Sequence, residues 1–72
     1  MDSLGLKFGK ILRELRTEGK FTQEELATDC GLDRTYISLL ERGLRQPTLG
    51  TLFKIAEVLK VSPSSIVKTL EK

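Results

Sequence analysis

The residues best placed to do chemistry are Arg34, Thr35 and Ser38, which share the outer face of the helix formed by RTYISLLER while Ile37, Leu40 and in part Tyr36 point inward. Arg34 stands at the start of that helix, where a cation works against the macrodipole, so its charge needs a use outside the helix. A guanidinium is a forked donor and a hydroxyl donates or accepts, which is chemistry for gripping a partner rather than for breaking bonds. The rest of the inventory agrees. The chain has no histidine and one cysteine, Cys30, so the usual zinc sites, His-based catalysis and an internal disulfide all fall away. Serine and threonine are plentiful, but none has an evident base at motif spacing, and an enzyme is the least favoured class. No cofactor is implied. Cys30 reads as a small core residue at a helix end, with no second cysteine to resolve an oxidised thiol.

The elements that must position these side chains are legible from spacing. Thr22-Gln23-Glu24-Glu25 is a capping box that starts a helix, with Leu26, Ala27 and Cys30 on one face, and Gly31 supplies the residue that takes positive φ just past its end. Asp33 is suited to cap the next helix. Two helices joined by so short a turn cross with their backbones close, which is why position 27 is alanine. Gln23, Ala27, Gly31, Ile37 and Leu40 therefore mark a helix-turn-helix. Before it, Leu4, Phe8, Ile11, Leu12 and Leu15 predict an amphipathic helix from about Ser3 to Glu18, ended by Gly19-Lys20, with Phe21 placed to staple onto the next helix. After it, Gly43 and Pro47 bound a loop, and Thr48 caps a fourth helix. Its apolar face of Leu49, Leu52, Phe53, Ile55, Ala56 and Leu59 is wider than a surface helix in a monomer needs. Ser62-Pro63 opens a short fifth helix carrying Ile66, Val67 and Leu70. The expectation is an all-α, compact five-helix fold in a single domain spanning residues 1–72.

Hydrophobic residues make up 39% of the 72, enough for one modest core. Charge decides little: the net value is +2, with eight basic and eight acidic residues up to position 48 and four lysines against two acids beyond it. No run approaches the roughly 20 apolar residues of a membrane span, and no cleavable signal opens the chain, so a reduced, cytoplasmic setting is expected.

Taken together, Thr22-Gln23-Glu24-Glu25-Leu26-Ala27, Gly31, Tyr36-Ile37-Ser38, Glu41-Arg42-Gly43 and Pro47-Thr48-Leu49 resemble the Cro/C1-type (XRE) helix-turn-helix family, whose fold is the lambda-repressor-like DNA-binding domain. The string Leu32-Asp33-Arg34-Thr35-Tyr36-Ile37-Ser38 looks most like the controller proteins of restriction–modification systems. Phage-type repressors and antitoxin-like autorepressors share much of that string and stand as alternatives. From another class stands a protein-interaction module that has lost DNA binding.

The resemblance implies a sequence-specific transcriptional regulator whose second motif helix lies in the major groove of operator DNA. Arg34, Thr35 and Ser38 are then the base contacts, since arginine can donate to guanine O6 and N7, and threonine offers a methyl to thymine or a hydroxyl to other groups. Gln23 falls where the family contacts phosphate through side chain and free amides, and Tyr36, Arg42, Arg45 and Gln46 are candidates for further backbone contacts. Arg16 and Glu41 fall on the family's structural ion pair. Val58, Val61, Ile66, Val67 and Leu70 are expected to form a homodimer interface that spaces two recognition helices about 34 Å apart over a pseudo-palindrome. Two dimers on adjacent sites, regulating the protein's own promoter and the endonuclease gene, and a contact with RNA polymerase, come from the resemblance alone.

Overall fold

A computed structural model describes residues 4–72, as five helices: α1 (Leu4–Glu18), α2 (Gln23–Cys30), α3 (Arg34–Glu41), α4 (Leu49–Leu59) and α5 (Pro63–Leu70). Ser3, where the sequence starts the first helix, lies outside the described residues. The helices pack in the pairs α1 with α3 and α5, α2 with α3 and α4, and α4 with α5. Their shared core is built from Phe8 and Leu12 of α1, Leu26, Ala27 and Cys30 of α2, Ile37 and Leu40 of α3, Leu52, Ile55 and Ala56 of α4, and Ile66 of α5.

The capping box of α2 is complete: the Glu25 amide donates to Thr22 Oγ1 at 3.0 Å, and the Thr22 amide donates to the Glu25 carboxylate at 2.9 Å. Gly31, at φ 69°, ends α2 in the left-handed region, and the Leu32 amide reaches back to the Ala27 carbonyl at 2.8 Å. The helix-turn-helix geometry is thus fixed at both ends of α2 by short-range bonds. Thr48 and Ser62 cap α4 and α5 through the amides of Thr51 and Ser65.

Asp33 departs from expectation. It has extended N-cap geometry and its carbonyl accepts the first helical bond, from Ile37 N–H at 3.1 Å, but its side chain makes no capping hydrogen bond and stays exposed. The end of α1 also differs in detail. The residue in the left-handed region is Lys20, at φ 65°, while Gly19 leaves room for the Phe21 ring, which a Cβ at position 19 would meet at 3.1 Å. Phe21 folds back in this way to lie half-buried against the core.

One contact that periodicity does not show sets the position of the site. A Cβ on Gly9 would fall 2.5 Å from the carbonyl oxygens of both Leu40 and Glu41, and one on Gly5 would fall 3.2 Å from the Gly43 carbonyl. The backbone of α1 therefore lies directly on the C-terminal turn of α3, at a separation only glycine permits at position 9. This brings the arginines of α1 over Glu41.

Candidate nucleic-acid interface

Glu41 ends α3 with its side chain fully buried, and the neighbouring elements converge on it. Arg16 donates to it through Nε and again through Nη2 at 3.1 Å, while its Nη1 donates to the Phe21 carbonyl at 2.9 Å. Gln23 Nε2 donates to Glu41 Oε1 at 3.0 Å, and Arg13 Nε approaches the same oxygen at 3.4 Å. Burial pushes the Glu41 carboxyl upward, but hydrogen bonds from Arg16, Gln23 and Arg13 and the charge of Arg16 outweigh it and hold its pKa below the ordinary carboxylate range. Among the described residues, no buried side-chain nitrogen or oxygen lacks a partner.

Gln23 links this buried group to the surface. Its Oε1 accepts from Arg34 Nη1 at 3.3 Å, so the first residues of α2 and α3 touch across the turn. Arg16, Phe21, Thr22, Gln23, Glu24 and Arg34 line an open concavity of about 550 Å³ at the amino end of α2, where free backbone amides and the helix dipole favour an anion.

Arg34 and Thr35 stand out into solvent on the first turn of α3, and Ser38, one turn further on, is half-buried. Tyr36 packs partly on the core, whereas Arg42, Arg45 and Gln46 are exposed where α3 gives way to the loop before α4. Arg13, which the sequence reading does not single out, is 58% exposed and adds a second guanidinium beside Arg16. Its signal is the three-residue spacing from Arg16, which puts both on one side of α1.

Burial bears on the expected dimer surface. Ile66 is only 3% exposed because it closes the chain's own core, and Val58, Val61 and Leu70 are also packed partly against that core. Val67 is exposed at 39%, but the large apolar side chains left most open on the last two helices are Leu49 and Phe53, at 74% and 59%. Among the described residues no helix is long and apolar enough to cross a membrane.

A helix-turn-helix family model matches residues 12–66. The control protein C.BamHI of Bacillus amyloliquefaciens is 39% identical over 67 residues, covering 92% of this chain and 83% of that protein. Among solved structures, the restriction–modification controller protein C.AhdI of Aeromonas hydrophila superposes with a TM-score of 0.83 at 44% identity, over 86% of this chain and 94% of that one. The biofilm regulator SinR, solved in complex with DNA, superposes with a TM-score of 0.79 at 31% identity, over 83% of this chain and 97% of that one. With the motif, the five-helix packing and these matches in agreement, the chain belongs to the Cro/C1-type helix-turn-helix family, with restriction–modification controller proteins among its relatives.

Proposed function

We propose that this protein is a sequence-specific DNA-binding transcriptional regulator that controls a restriction–modification system from the cytoplasm. The observation that carries this is Arg34: an exposed guanidinium at the first residue of α3, beside exposed Thr35, on a helix whose other face is locked into the core by Ile37 and Leu40. A rigid helix with a forked donor at its leading end suits the major groove, where arginine pairs with guanine O6 and N7. Thr35 and Ser38 complete the base-reading set. The concavity at the start of α2 receives one phosphate through Gln23 and the free amides, and Tyr36, Arg42, Arg45 and Gln46 hold the backbone on the other flank.

A single module of this size buries too little DNA surface for a regulator's affinity, so a second copy is required. Its docking face is the outer side of α4, where Leu49 and Phe53 lie open. Phe53 shares a shallow groove with Gly50, Lys54, Glu57, Val61 and Pro63. Lys54 and Glu57 suit a two-fold axis there, because the lysine of each copy then meets the glutamate of the other. Sedimentation at tens of micromolar tests this: wild type should run as a dimer and Phe53→Asp as a folded monomer. A monomeric wild type would remove the interface.

The function itself is tested by footprinting the DNA upstream of the protein's own gene over a concentration series. Two-fold symmetric protection that fills one site before a neighbouring one supports an autoregulating controller acting through paired dimers. A single symmetric site supports simple repression. Absence of protection at micromolar protein, at near-physiological salt, refutes the proposal.

A further inference from the structure

We infer that Arg13 is a second ligand of the phosphate that Gln23 receives, a guanidinium of α1 that exchanges the buried Glu41 carboxylate for the DNA backbone. This rests on the DNA-binding reading proposed above. Glu41 carries one negative charge, and Arg16 answers it: Arg16 donates to both carboxylate oxygens and to the Phe21 carbonyl, with its side chain only 13% exposed. Arg13 therefore brings a second positive charge to a carboxylate that is already matched. Its bond is the longest that Glu41 accepts, 3.4 Å from Nε, against 3.0 Å from Gln23 Nε2 and 3.1 Å from Arg16 Nη2. The Arg13 side chain is 58% exposed, and its four terminal N–H groups make no hydrogen bond among the described residues. A surplus cation held at the surface by one long bond has donors to spare for a partner.

The geometry identifies that partner. Arg13 Nε and Gln23 Nε2 converge on one atom, Glu41 Oε1, at 3.4 and 3.0 Å, so the two nitrogens stand no further apart than those distances laid end to end. A phosphate accepting one bond of about 2.8 Å on each of two oxygens spans donors at that separation. Gln23 keeps the second N–H of its amide for one phosphate oxygen, and Arg13 offers the planar fork of its terminal nitrogens to another. The exchange leaves no charge stranded in the core, because Glu41 keeps Arg16 and Gln23 when Arg13 turns away. The backbone puts Arg13 in place: Gly9 lets α1 lie against the Leu40 and Glu41 carbonyls, and Arg13 follows one helical turn later, over the Glu41 side chain. On this reading α1 joins α2 and α3 in holding the DNA, without reading its sequence.

The experiment measures the binding of wild type, Arg13→Gln and Arg13→Lys over a salt series, to an operator selected from random DNA by the wild-type protein and to an unrelated duplex of equal length. Arg13→Gln should bind both duplexes roughly fivefold more weakly per bound copy at near-physiological salt. Its slope of log affinity against log salt should be shallower by about 1 per copy, with discrimination between the duplexes as in wild type. Arg13→Lys should keep the wild-type slope, and the melting midpoint of Arg13→Gln should fall by no more than the loss of one exposed bond allows. Ethylating the operator phosphates one at a time locates the contact: the phosphate whose ethylation no longer weakens Arg13→Gln should be the one whose ethylation no longer weakens Gln23→Ala. An unchanged salt slope overturns the proposal and leaves Arg13 as a structural donor to Glu41. Two different phosphates overturn the sharing with Gln23. Selection of no common sequence by wild type overturns the sequence-specific reading itself, which is a different outcome from either.

Discussion

Replacing Glu41 with alanine removes a fully buried carboxylate that takes hydrogen bonds from Arg16, Gln23 and Arg13. It leaves the Arg16 side chain, 13% exposed, without its counter-charge. Breaking one partner out of a buried pair costs about 3–5 kcal/mol. Two features put this case near the lower end, at about 3 kcal/mol: Arg16 keeps its bond to the Phe21 carbonyl, and Arg13, 58% exposed, returns to water. A chain of 72 residues has a whole stability of about 4–11 kcal/mol, so the variant folds at low temperature but melts roughly 12–24 °C below wild type. Thermal unfolding followed by circular dichroism measures this. Glu41→Gln keeps the shape and removes the charge, which adds a pH arm. Because the folded-state pKa of Glu41 is lowered, its stabilising charge is fully present above the unfolded value near about 4.3 and is lost as pH falls through the lower folded value. The gap between wild type and Glu41→Gln should therefore close in acid. A Glu41→Ala midpoint within about 2 °C of wild type at neutral pH, or a gap that does not narrow in acid, refutes the buried-pair account.

Further outcomes follow from backbone and burial. Alanine in place of a helical glycine ordinarily gains about 1 kcal/mol, so Gly50→Ala, where a Cβ meets only Thr48 Oγ1 at 3.9 Å, should raise the melting midpoint. Gly9→Ala should destabilise the fold by about 1–2 kcal/mol net, because its Cβ strikes two carbonyl oxygens and pushes α1 off α3; equal effects of the two substitutions in chemical denaturation would sink the close-approach argument. Lys60 sits in the left-handed region at φ 63°, and Lys60→Gly should stabilise by about 0.5 kcal/mol once the added freedom of the unfolded chain is subtracted; an unchanged or lower midpoint would refute this. Cys30 is buried and its thiol pKa is pushed up by burial, against a partial lowering by Lys54, so iodoacetamide should label it slowly in the native protein and fast in denaturant; fast native labelling would contradict the packing.

What the sequence made legible was whatever is decided within one or two helical turns. The Thr22 to Glu25 capping box and the Gly31 turn are local hydrogen-bonded motifs with their own residue requirements, and they appear where spacing puts them. Asp33 shows the limit of even this level: a good capping residue in the right backbone conformation leaves its side chain in solvent without a capping bond. Arg16 and Glu41 are reached only through family resemblance, since they are 25 residues apart and no local rule joins them. The amide bridge from Gln23 to Arg34 is invisible in the sequence for the same reason, with a separation of 11 residues and the crossing of α2 over α3 deciding the contact.

The apolar residues of α4 and α5 expose a different limit. Periodicity says that α4 and α5 each carry apolar residues, but a short terminal helix has one stripe and two claimants for it, the chain's own core and a second chain. The core takes Ile66 on α5 and Leu52, Ile55 and Ala56 on α4. In helical projection Leu49 and Phe53, four residues apart, lie on one edge of the broad α4 stripe, so the core reached by the other residues leaves them outside. Which residues of a wide stripe the core takes is decided by the angle at which α5 closes it, and that angle is not written in the period.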